Sequence, residues 1–123
     1  MKIYIGADHR GFALKNSLKE YLENSGYVVF DVGSSQYDPQ DDYPDFAKMV
    51  ADSVLQEQNG RGIVICGGGA GVCIGANRIK GIRAVLAFEV LVAKASRKDD
   101  DTNVLCLGSD FLDETKINQL AML

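Results

Sequence analysis

Apolar residues fall into two kinds of segment along this chain. Short β-branched and aliphatic runs, such as Ile3-Tyr4-Ile5 and Ile63-Val64-Ile65, read as buried strands of a parallel sheet. Between them, apolar residues recur at helical spacing, as in Leu14, Leu18, Tyr21 and Leu22, or Phe46, Met49, Val50 and Val54. In order, the pattern predicts a strand over Lys2–Ala7, a loop at Asp8-His9-Arg10-Gly11, and a helix over Phe12–Ser25 with Gly26 as its C-cap. A strand over Tyr27–Val32 and a polar loop over Gly33–Asp42 follow. A helix is entered at Tyr43-Pro44, with Pro44 suited to the first turn, and ends at Asn59-Gly60. The remainder reads as a strand from Gly62, a helix over Val72–Ile79 stopped by Gly81, a strand over Ile82–Phe88 and a helix over Glu89–Arg97. An acidic loop over Lys98–Thr102, a strand over Asn103–Leu107 and a last helix over Asp113–Leu123 complete it. Five βα units without repeats or linkers predict an α/β fold with a doubly wound parallel sheet. Ligands bind such sheets along the carboxyl ends of the strands, here Asp8 and His9, Gly33, Cys66 to Gly71, Glu89, and Gly108 to Asp110.

The stretch Gly62-Ile-Val-Ile-Cys-Gly-Gly-Gly-Ala-Gly-Val-Cys-Ile-Gly75 is the centre of this plan. Its strand ends at Cys66, and Gly67, Gly68, Gly69 and Gly71 follow before the next helix. Glycines there let the backbone turn sharply and bring bare N–H groups close to a ligand. A thiol at the strand's carboxyl end faces a helix N-terminus, which favours the thiolate. The competing structural reading is a tight strand–helix turn beside a buried cysteine.

Composition narrows the classes. A chain of 123 residues is one domain with room for a real core. Apolar residues make up 46% and charged residues 24%, ordinary values for a globular protein, and the net charge of −4 carries no nucleic-acid footprint. A phosphorylated ligand must therefore be met by locally placed positive groups. The first residues form a strand rather than a signal peptide, and no apolar run approaches the roughly 18–20 residues of a membrane span. Three cysteines without a CxxC pair indicate neither a disulfide framework nor a zinc site. A cytoplasmic protein is expected.

Common motifs fail. Gly67, Gly69 and Gly71 do not complete G-x-G-x-x-G, because Val72 and Ile74 occupy the third-glycine slots, and there is no Walker A lysine. The first loop holds His9, the only histidine, directly after Asp8. Such a histidine can donate to a phosphate or hydroxyl, and the aspartate can bind sugar hydroxyls. Structurally, Asp8 would instead cap the helix and His9 would be an exposed loop residue.

Together these residues resemble a known family. Asp8-His9-x-Gly11-Phe12-x-Leu14-Lys15, Asp42-Tyr43-Pro44, the strand and glycine loop from Gly62 to Gly71, Ala76-Asn77-Arg78, Gly81-Ile82-Arg83-Ala84, Ser96-Arg97 and Asp101-Thr-Asn-Val-Leu105 resemble the ribose-5-phosphate isomerase B and galactose-6-phosphate isomerase family. The motifs keep one order and spacing from Met1 to about Ser109. The resemblance implies a Rossmann-like five-stranded sheet in a three-layer αβα arrangement, a homodimer with composite sites at the subunit interface, and no metal or organic cofactor. It implies interconversion of aldose and ketose phosphates through an enediolate, with Cys66 as the base and a small-molecule sugar or sugar phosphate as the partner. Asp8 and His9 match positions that hold the sugar or its phosphate, Tyr43 a site-lining aromatic, and Gly67, Gly68, Gly69 and Gly71 the backbone cradle of the enediolate oxygen. Some relatives place a glutamate one turn into the following helix as base; this chain has Val72 there.

This chain departs from that pattern at five places. Asp99 and Asp100 stand where the family usually carries a ring-opening histidine and an asparagine that contacts the reacting oxygens. An aspartate accepts a proton from a ring hydroxyl but, ionised, donates nothing. Gly68 replaces a threonine, and Asp110 follows Gly108-Ser109 where an arginine commonly binds phosphate. Arg10 takes a place usually small or apolar, where it can restore part of a phosphate clamp. A non-catalytic or partner-dependent member that binds a sugar is the alternative, and Cys66→Ser separates the two: an isomerase loses turnover, a binder keeps its ligand. Cys73 and Cys106 read as core residues.

Overall fold

This computed structural model describes residues 2–33, 38, 40, 43–57 and 59–121, and of Tyr43 only the backbone. Its strands are β1 (Lys2–Ala7), β2 (Val28–Gly33), β3 (Arg61–Cys66), β4 (Ala84–Leu86) and β5 (Val104–Gly108). Its helices are α1 (Phe12–Asn24), α2 (Tyr43–Leu55), α3 (Ala70–Asn77), α4 (Val90–Asp100) and α5 (Glu114–Ala121). All strand pairs are parallel and the sheet order is β2-β1-β3-β5-β4. The order reverses between β1 and β3, so the crevice of this doubly wound sheet opens where Asp8 and Cys66 leave it.

Strand alternation produces the three layers. Ile63 and Ile65 face α1, α4 and α5, where Leu18, Leu22, Ala93, Ile117 and Leu120 close one core. Val64 and Cys66 point the other way, against Ala47, Val50, Ala51 and Val54 of α2 and Val72 and Ala76 of α3. Each fully buried aliphatic side chain contributes about 1.5–3 kcal/mol relative to exposure.

Several boundaries differ from the sequence reading, α2 ending at Leu55 rather than at Asn59-Gly60 among them. The predicted strand over Ile82–Phe88 shrinks to Ala84–Leu86, because the N–H of Ile82 donates to the Ile79 carbonyl in a turn. Asn77 then occupies the free side of Ala84: Nδ2 donates to its carbonyl at 3.0 Å and Oδ1 accepts its N–H at 2.8 Å. The acidic loop predicted over Lys98–Thr102 is helical through Asp100; Asp101 stops α4 in the left-handed region at φ 50°. Arg97 and Lys98 in the last turn complement the helix's negative end, and Arg97 Nη1 donates to the Thr102 carbonyl. The loop at Asp8–Gly11 is a 3₁₀ turn over His9–Gly11. The polar loop expected over Gly33–Asp42 lies outside the described residues apart from Gly33, Asp38 and Gln40.

One ion pair in the first βα unit is half-buried, its lysine inside and its aspartate reaching solvent. Lys15 on α1 is 0% exposed, and its Nζ lies 3.0 and 2.9 Å from the two carboxylate oxygens of Asp31 on β2. Asp31 also accepts the N–H of Gly33 at 3.0 Å, so the pair fixes the end of β2. Removing Lys15 takes away the cation that holds the Asp31 carboxylate, while its contact with the Gly33 N–H remains. Lys15→Met is expected to lower unfolding free energy by ~1–2 kcal/mol, measured by urea denaturation.

Candidate functional site

Three loops meet at the carboxyl edge of the sheet. The first leaves β1 at Asp8, which is 5% exposed and whose Oδ1 accepts the N–H groups of Arg10 at 3.0 Å and Gly11 at 3.3 Å. Its backbone N–H donates to the Ile65 carbonyl at 3.3 Å, tying the turn to β3. The capping role therefore holds for Asp8, and it sets His9, half-buried, and Arg10 on the turn.

The second loop carries the thiol. Cys66 is 5% exposed, and the N–H of Gly69 donates to its Sγ at 3.1 Å. Gly69 is the N-cap of α3 with φ +82°, a conformation side chains rarely adopt. A Cβ there would also lie 2.6 Å from Leu86 Cδ1 and 2.9 Å from the Gly108 nitrogen. Space and backbone both demand glycine. The sulfur is thus held at the start of α3, where unsatisfied N–H groups concentrate positive potential. Gly71 lies in the first turn of that helix. Gly68 is different: a Cβ there would meet no atom within 4 Å, so the position opens into the crevice.

The third loop follows β5. Ser109 donates its N–H to the Cys66 carbonyl at 2.8 Å, and Asp110 donates its N–H to the Gly67 carbonyl at 2.9 Å. The Ser109 hydroxyl donates to the Arg10 carbonyl at 2.9 Å. The Arg10 guanidinium lies over Gly67, where a Cβ would overlap it, and its Nη2 pairs with Asp110 Oδ2. Sequence reasoning named Arg10 and noted Asp110 only as a missing arginine; the pairing of the two escaped it. Both positions depart from the resembled pattern with opposite charge, but the pairing itself depends on which strands lie side by side.

The structure gathers Cys66, Gly67, Gly68, Gly69, Gly71, Asp8, His9 and Arg10 on this edge. The backbone of Tyr43 begins α2, and its side chain lies outside the described residues. Asp99 and Asp100 are not brought to Cys66 within one chain. A helix that follows a parallel strand runs back across the sheet, so the last turn of α4 lies at the amino edge. There the Asp100 carbonyl accepts from Nε of Arg83, just before β4. The five residues of β5 separate the two edges by roughly 16 Å.

Cys73 on α3 and Cys106 on β5 pack behind the loop within the second core. A hydrogen bond from Cys106 lowers the pKa of Cys73, whereas burial pushes that of Cys106 well up. Among the described residues no three His, Cys, Asp or Glu side chains are grouped to hold a metal ion, and no helix is long and apolar enough to cross a membrane.

Comparison with known proteins gives one answer. The family model described as Ribose/Galactose Isomerase matches residues 3–122. A probable ribose-5-phosphate isomerase B of Mycoplasma pneumoniae is 46% identical over 110 residues, covering 89% of this chain and 72% of that protein. Ribose-5-phosphate isomerase B of Escherichia coli is 44% identical over 108 residues, covering 88% of this chain and 72% of that protein. The crystal structure of ribose-5-phosphate isomerase B from Mycoplasma genitalium with bound ribulose-5-phosphate superposes with a TM-score of 0.93 at 40% identity, covering 98% of this chain and 80% of that one. The Clostridium thermocellum enzyme of the same name gives 0.94 at 40% identity, covering 99% and 82%.

Two predictions follow from the loop geometry. Gly69→Ala is expected to cost ~2–4 kcal/mol of stability, whereas Gly68→Thr shifts the melting temperature by no more than about 2 °C; differential scanning calorimetry compares them. Iodoacetamide at pH 8, followed by mass spectrometry, is expected to label Cys73 well before Cys106 in the native protein.

Proposed function

Because the chain belongs to the ribose/galactose isomerase family, we propose that it interconverts an aldose and a ketose phosphate of the ribose 5-phosphate and ribulose 5-phosphate type, with Cys66 as base. The observation that carries this reading is the Cys66 sulfur held by the Gly69 N–H, 3.1 Å away, at the carboxyl end of β3. The thiolate takes the proton from C2 of the open-chain aldose. The C2–H electron pair becomes the C1=C2 bond while the carbonyl π pair moves onto the C1 oxygen, giving the enediolate. Collapse of the C2 oxygen to a carbonyl, with return of the proton to C1, completes the ketose. The two oxygens exchange one proton over the same sequence. Backbone N–H groups of Gly67 to Gly71 stabilise the developing negative oxygen without any reorganisation. Asp8, His9, Arg10 and Tyr43 hold the sugar.

In this reading the active unit is a homodimer. The amino-edge position of Asp99 and Asp100 supports it, since only a second copy brings these carboxylates to a Cys66 site. So does the edge beside β4: α3 and α4 both touch that strand, and Ile74, Leu91 and Val92 on them are exposed, Leu91 by 80%. From the partner, Asp99 accepts the ring hydroxyl proton during opening, and Asp100 contacts the sugar. As anions beside a phosphate, they would each cost a few kcal/mol at ~4 Å and an effective dielectric near 20. They are therefore assigned to the sugar end rather than the phosphate end.

The test is proton exchange in D₂O by NMR, first with ribose 5-phosphate and then with unphosphorylated pentoses and hexoses. Deuterium is expected at C2 of the phosphorylated sugar, and Cys66→Ser is expected to slow it by ~10²–10⁴-fold. Silence across the panel in the folded wild type refutes the isomerase reading. Mixing Cys66→Ser with Asp99→Asn subunits is expected to restore about a quarter of wild-type turnover, as one intact composite site forms in each mixed dimer. No recovery refutes the shared site.

A further inference from the structure

We propose that Asp110 is a positioning residue: it fixes the Arg10 guanidinium over Gly67 as the group that binds the anionic end of the substrate. The proposal deepens the isomerase reading and rests on it. Asp110 is itself anchored, since its backbone N–H donates to the Gly67 carbonyl at 2.9 Å while its carboxylate holds Arg10. Arg10 is anchored at both ends. Its carbonyl accepts the Ser109 hydroxyl at 2.9 Å, and its guanidinium meets Asp110 Oδ2. The loops after β1 and β5 are thus stitched together across the residue that follows Cys66.

A pair this open does little for the fold. The Arg10 side chain is 52% exposed and that of Asp110 42%, and pairs this exposed contribute little to stability. Its effect is geometric. A guanidinium offers five N–H donors in a rigid fork, and one carboxylate engages at most two of them. The rest remain for a second anion, and pre-fixing the arginine removes the rotamer entropy that binding would otherwise have to remove. Resemblance to the family leads one to expect the arginine after Gly108-Ser109. Here the cation stands on the loop after β1 and the anion on the loop after β5, which keeps the guanidinium over the glycine turn.

The experiment measures kcat and KM for ribose 5-phosphate and, independently of turnover, the Kd of inorganic phosphate from backbone amide shifts. Arg10→Gln is expected to raise both KM and the phosphate Kd by about 10–100-fold. Asp110→Asn is expected to raise both by about 5–10-fold with a much smaller change in kcat, and Asp110→Glu to recover most of the loss. The joint exchange Arg10→Asp with Asp110→Arg is expected to bind phosphate more tightly than either single variant. Unchanged or lower KM and Kd in Asp110→Asn overturn the proposal, the latter by showing that Asp110 competes with the ligand. Wild-type protein that binds no phosphate overturns it as well. Arg10- and Asp110-dependent phosphate binding without turnover upholds the clamp and refutes the isomerase reading alone.

Discussion

Two backbone hydrogen bonds hold the glycine turn in shape, from Ser109 to the Cys66 carbonyl and from Asp110 to that of Gly67. They draw two successive carbonyls toward the loop after β5. In a trans peptide the C=O and the following N–H point in opposite directions, so the N–H groups of Gly67 and Gly68 are turned away from that loop. The turn's polarity is therefore decided by strand order. Because β5 lies beside β3, with Gly108 opposite Cys66, the loop that makes these bonds is always in reach. The thiol, the helix start and the glycine turn inherit their geometry from that adjacency.

Asp8 shows how one residue serves fold and site together. Its carboxylate closes the turn that carries His9 and Arg10, and its backbone N–H fastens that turn to β3. A substitution there disturbs the position of both neighbours at once, so lost activity on changing Asp8 does not by itself identify a sugar contact. The same holds for Gly69, which caps α3 and donates to the sulfur.

Much of this was legible in the sequence. Short apolar runs and period-3.6 spacing placed the strands and helices, because a central strand such as β3 buries both faces, one in each core, while each helix buries one. The carboxyl-edge rule then gathered Cys66, the glycines, Asp8 and His9. Two kinds of information were not local. The end of α4 looked like a loop because Asp99, Asp100 and Asp101 suggest solvent, yet a helix extends through two of them until Asp101 turns left-handed. Arg10 and Asp110 are 100 positions apart, and nothing in either neighbourhood announces the other. Their meeting is a product of sheet order, which one-dimensional patterning does not encode.

The side chain of Asn77 carries a consequence for how copies of this chain can associate. By bonding both polar groups of Ala84, it stands where another strand would have to dock on the sheet's outer border. A second molecule therefore cannot extend the sheet through this residue by main-chain pairing. A contact between copies on this side would have to use helix surfaces rather than a continued ladder at Ala84.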